Sequence, residues 1–420
     1  MAEKNNIGNY RWRILAFLFF ATTINYIDRQ VIGILKPYVA DRLGWTEAGY
    51  GLIVGAFQLA YALGLLLTGR VLDMVGTKIG YAFAMVVWSI AAAAHATVRS
   101  ITGFAVVRFV LGFGESANFP AAVKTVAEWF PKKERALATG LFNSGSSVGA
   151  ILGPMIVSAA FVQLGLNGVF FITGSLGFLW LVFWVSLYHS PLKHNTLSKN
   201  EFKYIHGDRD SDVNRISWHR LLPHKETIAI CLSRFVTDWV WWFFLFWIPD
   251  FLKKMHHVDI KQLRLPLLVI YSAAGIGGIL GGWLSSHLIR KGKSIDFARK
   301  TAILICALCV LPIVTVTRTS NLWLAIAFIS LAAAAHSGWA SNIFTVVSDI
   351  YPKSAVGSVV GLSGFAGAVG GTMAATGIGY ALQFTGNYLL IFSVAGSVYL
   401  LAWLILKLLI PRIELLQRYS

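Results

Sequence analysis

The chain has little charge. Only 13% of its 420 residues are Asp, Glu, Lys or Arg, while 56% are hydrophobic. A soluble protein cannot cover its surface with so few charges, so the composition excludes a water-soluble globular domain and leaves a polytopic membrane protein in a lipid bilayer. Acidic residues are scarcer than basic ones, 19 against 36, which gives a net charge of +17. In a soluble domain that excess would suggest nucleic acid. In a membrane protein it belongs to basic cytoplasmic loops, and no nucleic-acid partner is expected. Cysteine is nearly absent: Cys231, Cys306 and Cys309 all lie in apolar runs and read as packing residues. A zinc site would need more ligands at tight spacing. The chain also lacks a phosphate-binding P-loop and a nucleophile elbow, so neither an ATP-driven pump nor an enzyme is expected. Its polar start, Met1 to Asn9, has no small-residue cleavage signature, and Arg11 to Gln30 reads as a first membrane helix.

What the chain does have is long apolar runs, with a mean hydropathy of +0.65. Its 15 Trp, 28 Phe and 14 Tyr suit interfacial belts and lipid-facing surfaces. A spanning helix needs about 20 mostly apolar residues. By that rule twelve are expected, near 12–32, 49–70, 79–98, 101–126, 137–161, 168–188, 226–252, 266–289, 298–317, 321–348, 357–383 and 387–410. Lys and Arg crowd alternate loops: Arg70 and Lys78, then Lys132, Lys133 and Arg135, then the central loop Leu192 to Lys225, then Arg290 to Lys300. The loop Lys253 to Arg264 is a basic exception on the outer side. The majority puts both termini and the central loop in the cytoplasm.

The sequence repeats itself. E-W-F-P-K at Glu128 to Lys132 returns as D-I-Y-P-K at Asp349 to Lys353, and Gly140 and Gly361 follow their prolines at the same distance. The same offset carries Glu115 onto His336 and Asn118 onto Trp339. Two parallel six-helix halves, 1–190 and 226–420, joined by a basic loop at 191–225, are the expected pattern of a two-lobed secondary transporter. Substrate is then expected near the midplane between the lobes. A working monomer is expected, since one chain carries both lobes.

Ionisable residues inside the apolar runs locate the chemistry. R-F-V-L-G-F-G-E-S-A-N-F-P runs from Arg108 to Pro120. Arg108 and Glu115 are two helical turns apart and share a face. They read either as a structural ion pair or as a cation for an anionic substrate beside a carboxylate that carries a proton. N-Y-I-D-R-Q, Asn25 to Gln30, puts Asn25, Asp28 and Arg29 on one face of the first helix. These read as an interfacial pair near the helix end or as part of the same site. G-R-V-L-D-M-V-G-T-K, Gly69 to Lys78, gives Arg70 and Asp73 a structural and gating role on the cytoplasmic side.

That last stretch resembles the loop motif of the major facilitator superfamily. Together with F-N-S-G-S-S-V-G-A-I-L-G-P, Phe142 to Pro154, the two ionic motifs resemble the anion:cation symporter family within it. Among its members the chain looks most like bacterial hexuronate and aldonate permeases, as L-S-K-N-E-F-K-Y-I at Leu197 to Ile205 also suggests. The resemblance implies an all-α fold of twelve transmembrane helices, an inner-membrane location and import of a sugar acid with protons, and no other cofactor. It implies that Arg29 and Arg108 grip the carboxylate, that Asp28 and Glu115 are the protonation sites, and that Tyr26 and Tyr61 hydrogen-bond and stack against the sugar. A guanidinium fork matches a carboxylate in plane and spacing, which supports the arginine roles on physical grounds. Ser146 stands where some sugar-acid relatives place a glutamine, and His336 where small hydroxyl residues are common. Ser146, Ser147 and Asn143 read as hydroxyl partners or as small packing residues. His336 reads as a substrate ligand, a second titratable group, or a histidine satisfied by its neighbours. Trp339 and Asn342 share its helix face and are cavity candidates, as is Asn118 by its place in the fourth-helix motif. Arg234 and Asp238, one turn apart, read as a structural pair, and Ser363 in the glycine-rich eleventh helix is a weaker candidate.

Overall fold

The computed structural model describes residues 8–194, 197–206 and 218–416. Every regular element among them is helical. Before the central loop come α1 (Tyr10–Leu43), α2 (Glu47–Val75), α3 (Thr77–Ala94), α4 (Ile101–Glu115), α5 (Asn118–Trp129) and α6 (Lys132–Leu187). The loop holds α7 (Lys199–His206) and α8 (Trp218–Leu221). After it come α9 (Lys225–Phe246), α10 (Ile248–His256), α11 (Arg264–Arg290), α12 (Ile295–Val310), α13 (Leu322–Ile350), α14 (Lys353–Thr385) and α15 (Leu389–Leu409).

Nine helical stretches among the described residues are long and apolar enough to cross a bilayer. The stretch Leu137–Leu187 is 51 residues long, too many for one crossing. Gly165 breaks it at φ 68°, a left-handed conformation that costs glycine nothing, so the two expected helices are both present. The polar Asn25–Gln30 stretch lowers the hydropathy of α1, and α4 is short. These two account for the rest of the expected twelve. The segment 101–126 was expected to be one helix and is not. The chain turns at Ser116 and Ala117, where the Ser116 hydroxyl donates to the carbonyl of Phe113 at 2.6 Å. The expected helix 226–252 likewise divides at Trp247, with Pro249 in the first turn of α10.

The sequence repeat has a structural counterpart. α5 ends at Phe130 (φ −120°, ψ 136°) and α13 at Tyr351 (φ −110°, ψ 142°), and a proline then starts the next helix in each half. Pro131 and Pro352 have near-identical angles, −64° and 155° against −63° and 156°. The acid two residues before each aromatic is tied down. Glu128 accepts from Thr77 and Tyr188, both at 2.6 Å, and Asp349 accepts from Arg299 at 2.8 Å.

The chain forms two compact units that do not follow chain order. One comprises 1–31, 63–98 and 106–213; the other comprises 32–62, 99–105 and 214–420. Within the first, α6 lies tight on α1: a Cβ on Gly145 would sit 2.5 Å from the carbonyl oxygen of Phe19, and one on Gly149 2.4 Å from that of Thr23. Close approach of this kind is how small residues pack membrane helices. Arg11 bridges Glu134 at 2.9 Å and Glu201 at 3.3 Å, and Glu201 accepts the backbone N–H groups of Tyr10 and Arg11, capping α1 from α7. Within the second unit, α11 crosses α13 at Gly281 and Gly338, α9 packs on α14, and Lys36 pairs with Asp250 at 2.5 Å.

Candidate functional site

Because α1 is held so close to α6, its face carrying Asn25, Asp28 and Arg29 is fixed in rotation. It meets the face of α4 that carries Arg108 and Glu115. Arg29 Nε donates to Glu115 Oε2 at 3.0 Å, and its Nη2 donates to Asn25 Oδ1 at 2.8 Å. The Asn25 amide in turn donates to the backbone oxygen of Glu115 at 3.5 Å. The Arg29 and Glu115 side chains are 3% and 0% exposed. Arg108 Nη2 donates to the backbone carbonyl of Arg29 at 3.2 Å. Asp28 points the other way and accepts from the indole N–H of Trp88 at 2.8 Å. The Tyr26 ring lies 4.9 Å from the Arg29 guanidinium carbon, within cation–π range. Two cations and two carboxylates are therefore enclosed in one helical unit, away from water. Such a cluster is balanced in charge and expensive to unbalance.

A small polar cavity adjoins this cluster. Asp28, His95, Arg108 and Thr173 line it, with Phe170 and Leu111 among its apolar walls. His95 bonds the carbonyl of Ala91 at 2.7 Å, so Nδ1 carries the proton, and its ring stacks on Phe170 at 5.3 Å. Sequence reasoning missed Trp88, His95 and Thr173. Only His95 left a signal, as a titratable residue in an apolar run.

The remaining candidates are dispersed. Asn118 opens α5, accepts from Tyr81 and donates to Thr22 at 3.3 Å. Ser146 and Ser147 are half-buried on α6, and Ser146 donates to the carbonyl of Asn143 at 2.7 Å. Arg70 is exposed in the penultimate turn of α2, and the side chain of Asp73, close by, lies outside what the structure describes. Tyr61, His336, Trp339 and Asn342 belong to the second unit. Tyr61 meets Phe57 and Trp242 at 6.1 and 6.3 Å. His336 shares a hydrogen bond of 2.6 Å with the Tyr399 hydroxyl and stacks on Trp241 at 5.5 Å. Trp339 packs edge-on against Tyr399. Asn342 donates to the carbonyls of Gly281 and Gly338, both at 2.9 Å, so its amide N–H groups serve the α11–α13 crossing. Cys306 packs against Gly338, and all three cysteines are free thiols.

Residues 18–375 match the Major Facilitator Superfamily. The chain belongs to that superfamily. As a Major Facilitator protein it is a multi-pass membrane transporter and not an enzyme. Over 420 residues it is 30% identical to a hexuronate transporter of Escherichia coli, covering 98% of this chain and 97% of that one. Its identity to a D-galactonate transporter of Escherichia coli is also 30%, over 392 residues and 90% of each chain. Among solved structures, a bacterial homologue of the human lysosomal transporter Spinster, in an inward-facing and unoccupied conformation, shares the fold. The TM-score is 0.76 at 18% identity, over 95% of this chain and 98% of that one.

Proposed function

We propose that this protein is a proton-coupled symporter that imports a sugar acid anion, a hexuronate such as glucuronate or galacturonate, across the bacterial inner membrane, with both termini in the cytoplasm. The observation that carries the reading is the enclosed Arg29–Glu115 pair with Arg108 and Asp28 beside it. A guanidinium that already holds a carboxylate has the geometry to hold another. When the substrate carboxylate takes Arg29, Glu115 is left as an uncompensated buried charge. Removing one partner of a buried pair costs about 3–5 kcal/mol. Protonation of Glu115 removes that cost, so substrate and proton binding favour each other. On the far side the proton leaves, ionised Glu115 reclaims Arg29, and the substrate is expelled. Arg108 is a second guanidinium for the substrate carboxylate, and Asp28, held by the Trp88 indole, is a second carboxylate able to carry a proton. The similarity to named hexuronate and D-galactonate transporters supports a sugar acid as the cargo.

The test is uptake of labelled glucuronate and galacturonate by proteoliposomes with and without an imposed pH gradient. Gradient-dependent accumulation of either is expected. Accumulation of an aldonate alone would move the substrate while keeping the arginine roles. Accumulation of a hexuronate that ignores the gradient would remove proton coupling.

A further inference from the structure

Two carboxylates in apolar helices meet a cation directly: Asp238 Oδ2 lies 2.7 Å from Arg234 Nη2, and Asp250 Oδ2 lies 2.5 Å from Lys36 Nζ. Asp28 is held differently. The residue is 2% exposed; its Oδ2 accepts from the Trp88 indole, and its Oδ1 has no hydrogen-bond partner among the described residues. A buried oxygen left so costs free energy that a partner would recover. The small polar cavity lies against this carboxylate, inside the first unit, and has room for about one water molecule. Buried waters fill polar cavities of this size and serve groups that the protein leaves unserved.

His95 lines the same cavity from the turn that ends α3. Its ring is held in place, with Nδ1 tied to the Ala91 carbonyl and one face on Phe170. Nε2 is therefore a fixed acceptor. Arg108 and Thr173 also line the cavity, but a guanidinium does not give up its proton and an alcohol does not exchange one near neutral pH. The rest of the lining is apolar. Asp28 and His95 are thus the two lining residues able to exchange a proton, and imidazole does so in the physiological range. The charged groups that face the ring across the cavity are Asp28 from α1 and Arg108 from α4; α6 brings Phe170 and Thr173.

We propose that one water in this cavity joins Asp28 Oδ1 to His95 Nε2, and that His95 relays the coupling proton between Asp28 and the outer end of α3. α3 starts at the Gly69 to Lys78 motif on the cytoplasmic side, so its far end, where His95 stands, faces outward in the orientation given above. With that end wet, the imidazole takes a proton at Nε2. It gives this proton to the water, and the water gives one of its own to Asp28 Oδ1. The ring returns neutral with Nδ1 still on Ala91. One proton on the carboxylates of the cluster balances an incoming anion, so the relay sets how fast the proton arrives and not how many are carried. It leaves the Arg29–Glu115 face to the cargo. This inference rests on the proton-symport reading above and gives it a path for the proton.

The test uses proteoliposomes and labelled glucuronate or galacturonate, whichever the wild type accumulates. Two initial rates are compared for each protein: accumulation driven by an imposed pH gradient, and counterflow, which exchanges one anion for another with no net movement of protons. Their ratio does not depend on how much of a variant is active. His95→Gln keeps a polar side chain at the cavity but cannot carry a proton. Its ratio is expected to fall by about tenfold or more, because a positioned acid–base group is worth about 100-fold or more and a slow conformational step absorbs part of that. Its final accumulation, which the gradient sets, should still reach the wild-type level. A wild-type ratio in His95→Gln overturns the proposal. So does a reduced final level, which would make His95 a coupling group and not a relay. If His95→Gln does not reconstitute, Ala92→Val decides by the same ratio, because its added methyl groups take the place of the water. Wild-type uptake that ignores the gradient defeats the proton-symport reading instead.

Discussion

Arg29 divides its guanidinium between two partners, Glu115 at 3.0 Å and Asn25 at 2.8 Å. Its neighbour in sequence, Asp28, bonds Trp88 instead. That division separates two carboxylates that look alike in the sequence. Glu115 is held by a cation that a substrate carboxylate can claim, whereas Asp28 is held by an indole that it cannot. Glu115→Gln keeps the shape and the contact to Arg29 but cannot exchange a proton. We expect this variant to retain substrate counterflow and to lose accumulation driven by a pH gradient. Intact gradient-driven accumulation by Glu115→Gln would exclude Glu115 as the coupling carboxylate. The four ionisable residues were legible because charge in an apolar run is costly and stands out. Trp88 was not, because an aromatic in an apolar helix is the ordinary case. Its role depends on which way α3 faces.

At the scale of elements, the glycines of Phe142 to Pro154 set where α1 stands. Gly149 meets the backbone of Thr23, which cannot yield as a side-chain tip would. Gly149→Ala should therefore push α1 off α6 and destabilise by about 1–3 kcal/mol, the usual cost of overpacking. Gly140, on the same helix, has open space where its Cβ would be. Gly140→Ala should stabilise by about 1 kcal/mol through helix propensity alone. Thermal unfolding of the two variants checks both signs, and a lower Tm for Gly140→Ala or a higher one for Gly149→Ala would contradict the packing account. The small-residue pattern was visible in sequence, but its partner helix was not. The turn at Ser116 and Ala117 was missed because hydropathy does not register a two-residue interruption of an apolar run.

For the whole molecule, the first unit encloses Asp28, Arg29, Arg108 and Glu115, two charges of each sign. A monoanion entering alone would leave this enclosure with a net negative charge, and one proton restores the balance. Transport of a hexuronate should then be electroneutral. Moving one net charge is worth about 2.3 kcal/mol per 100 mV, or roughly 50-fold in accumulation. A potassium-diffusion potential of that size is expected to leave accumulation unchanged when the pH gradient is fixed. A shift of the roughly 50-fold scale would mean that more than one proton accompanies each anion or that none does.

The sequence by itself determined the class and singled out the ionisable residues inside apolar runs, because each depends on local sums: hydropathy over a helix length, or an ionisable group among apolar neighbours. It also showed the Arg234–Asp238 pair, since residues one turn apart on a helix must face each other. Only the tertiary structure decided that Arg29 pairs with Glu115, that Asp28 turns to Trp88, and that residues 32–62 group with the second half of the chain. Those outcomes depend on the rotation and depth at which separate helices dock. Side-chain volumes along whole helix faces set that docking, and no local pattern of charge or hydropathy encodes it.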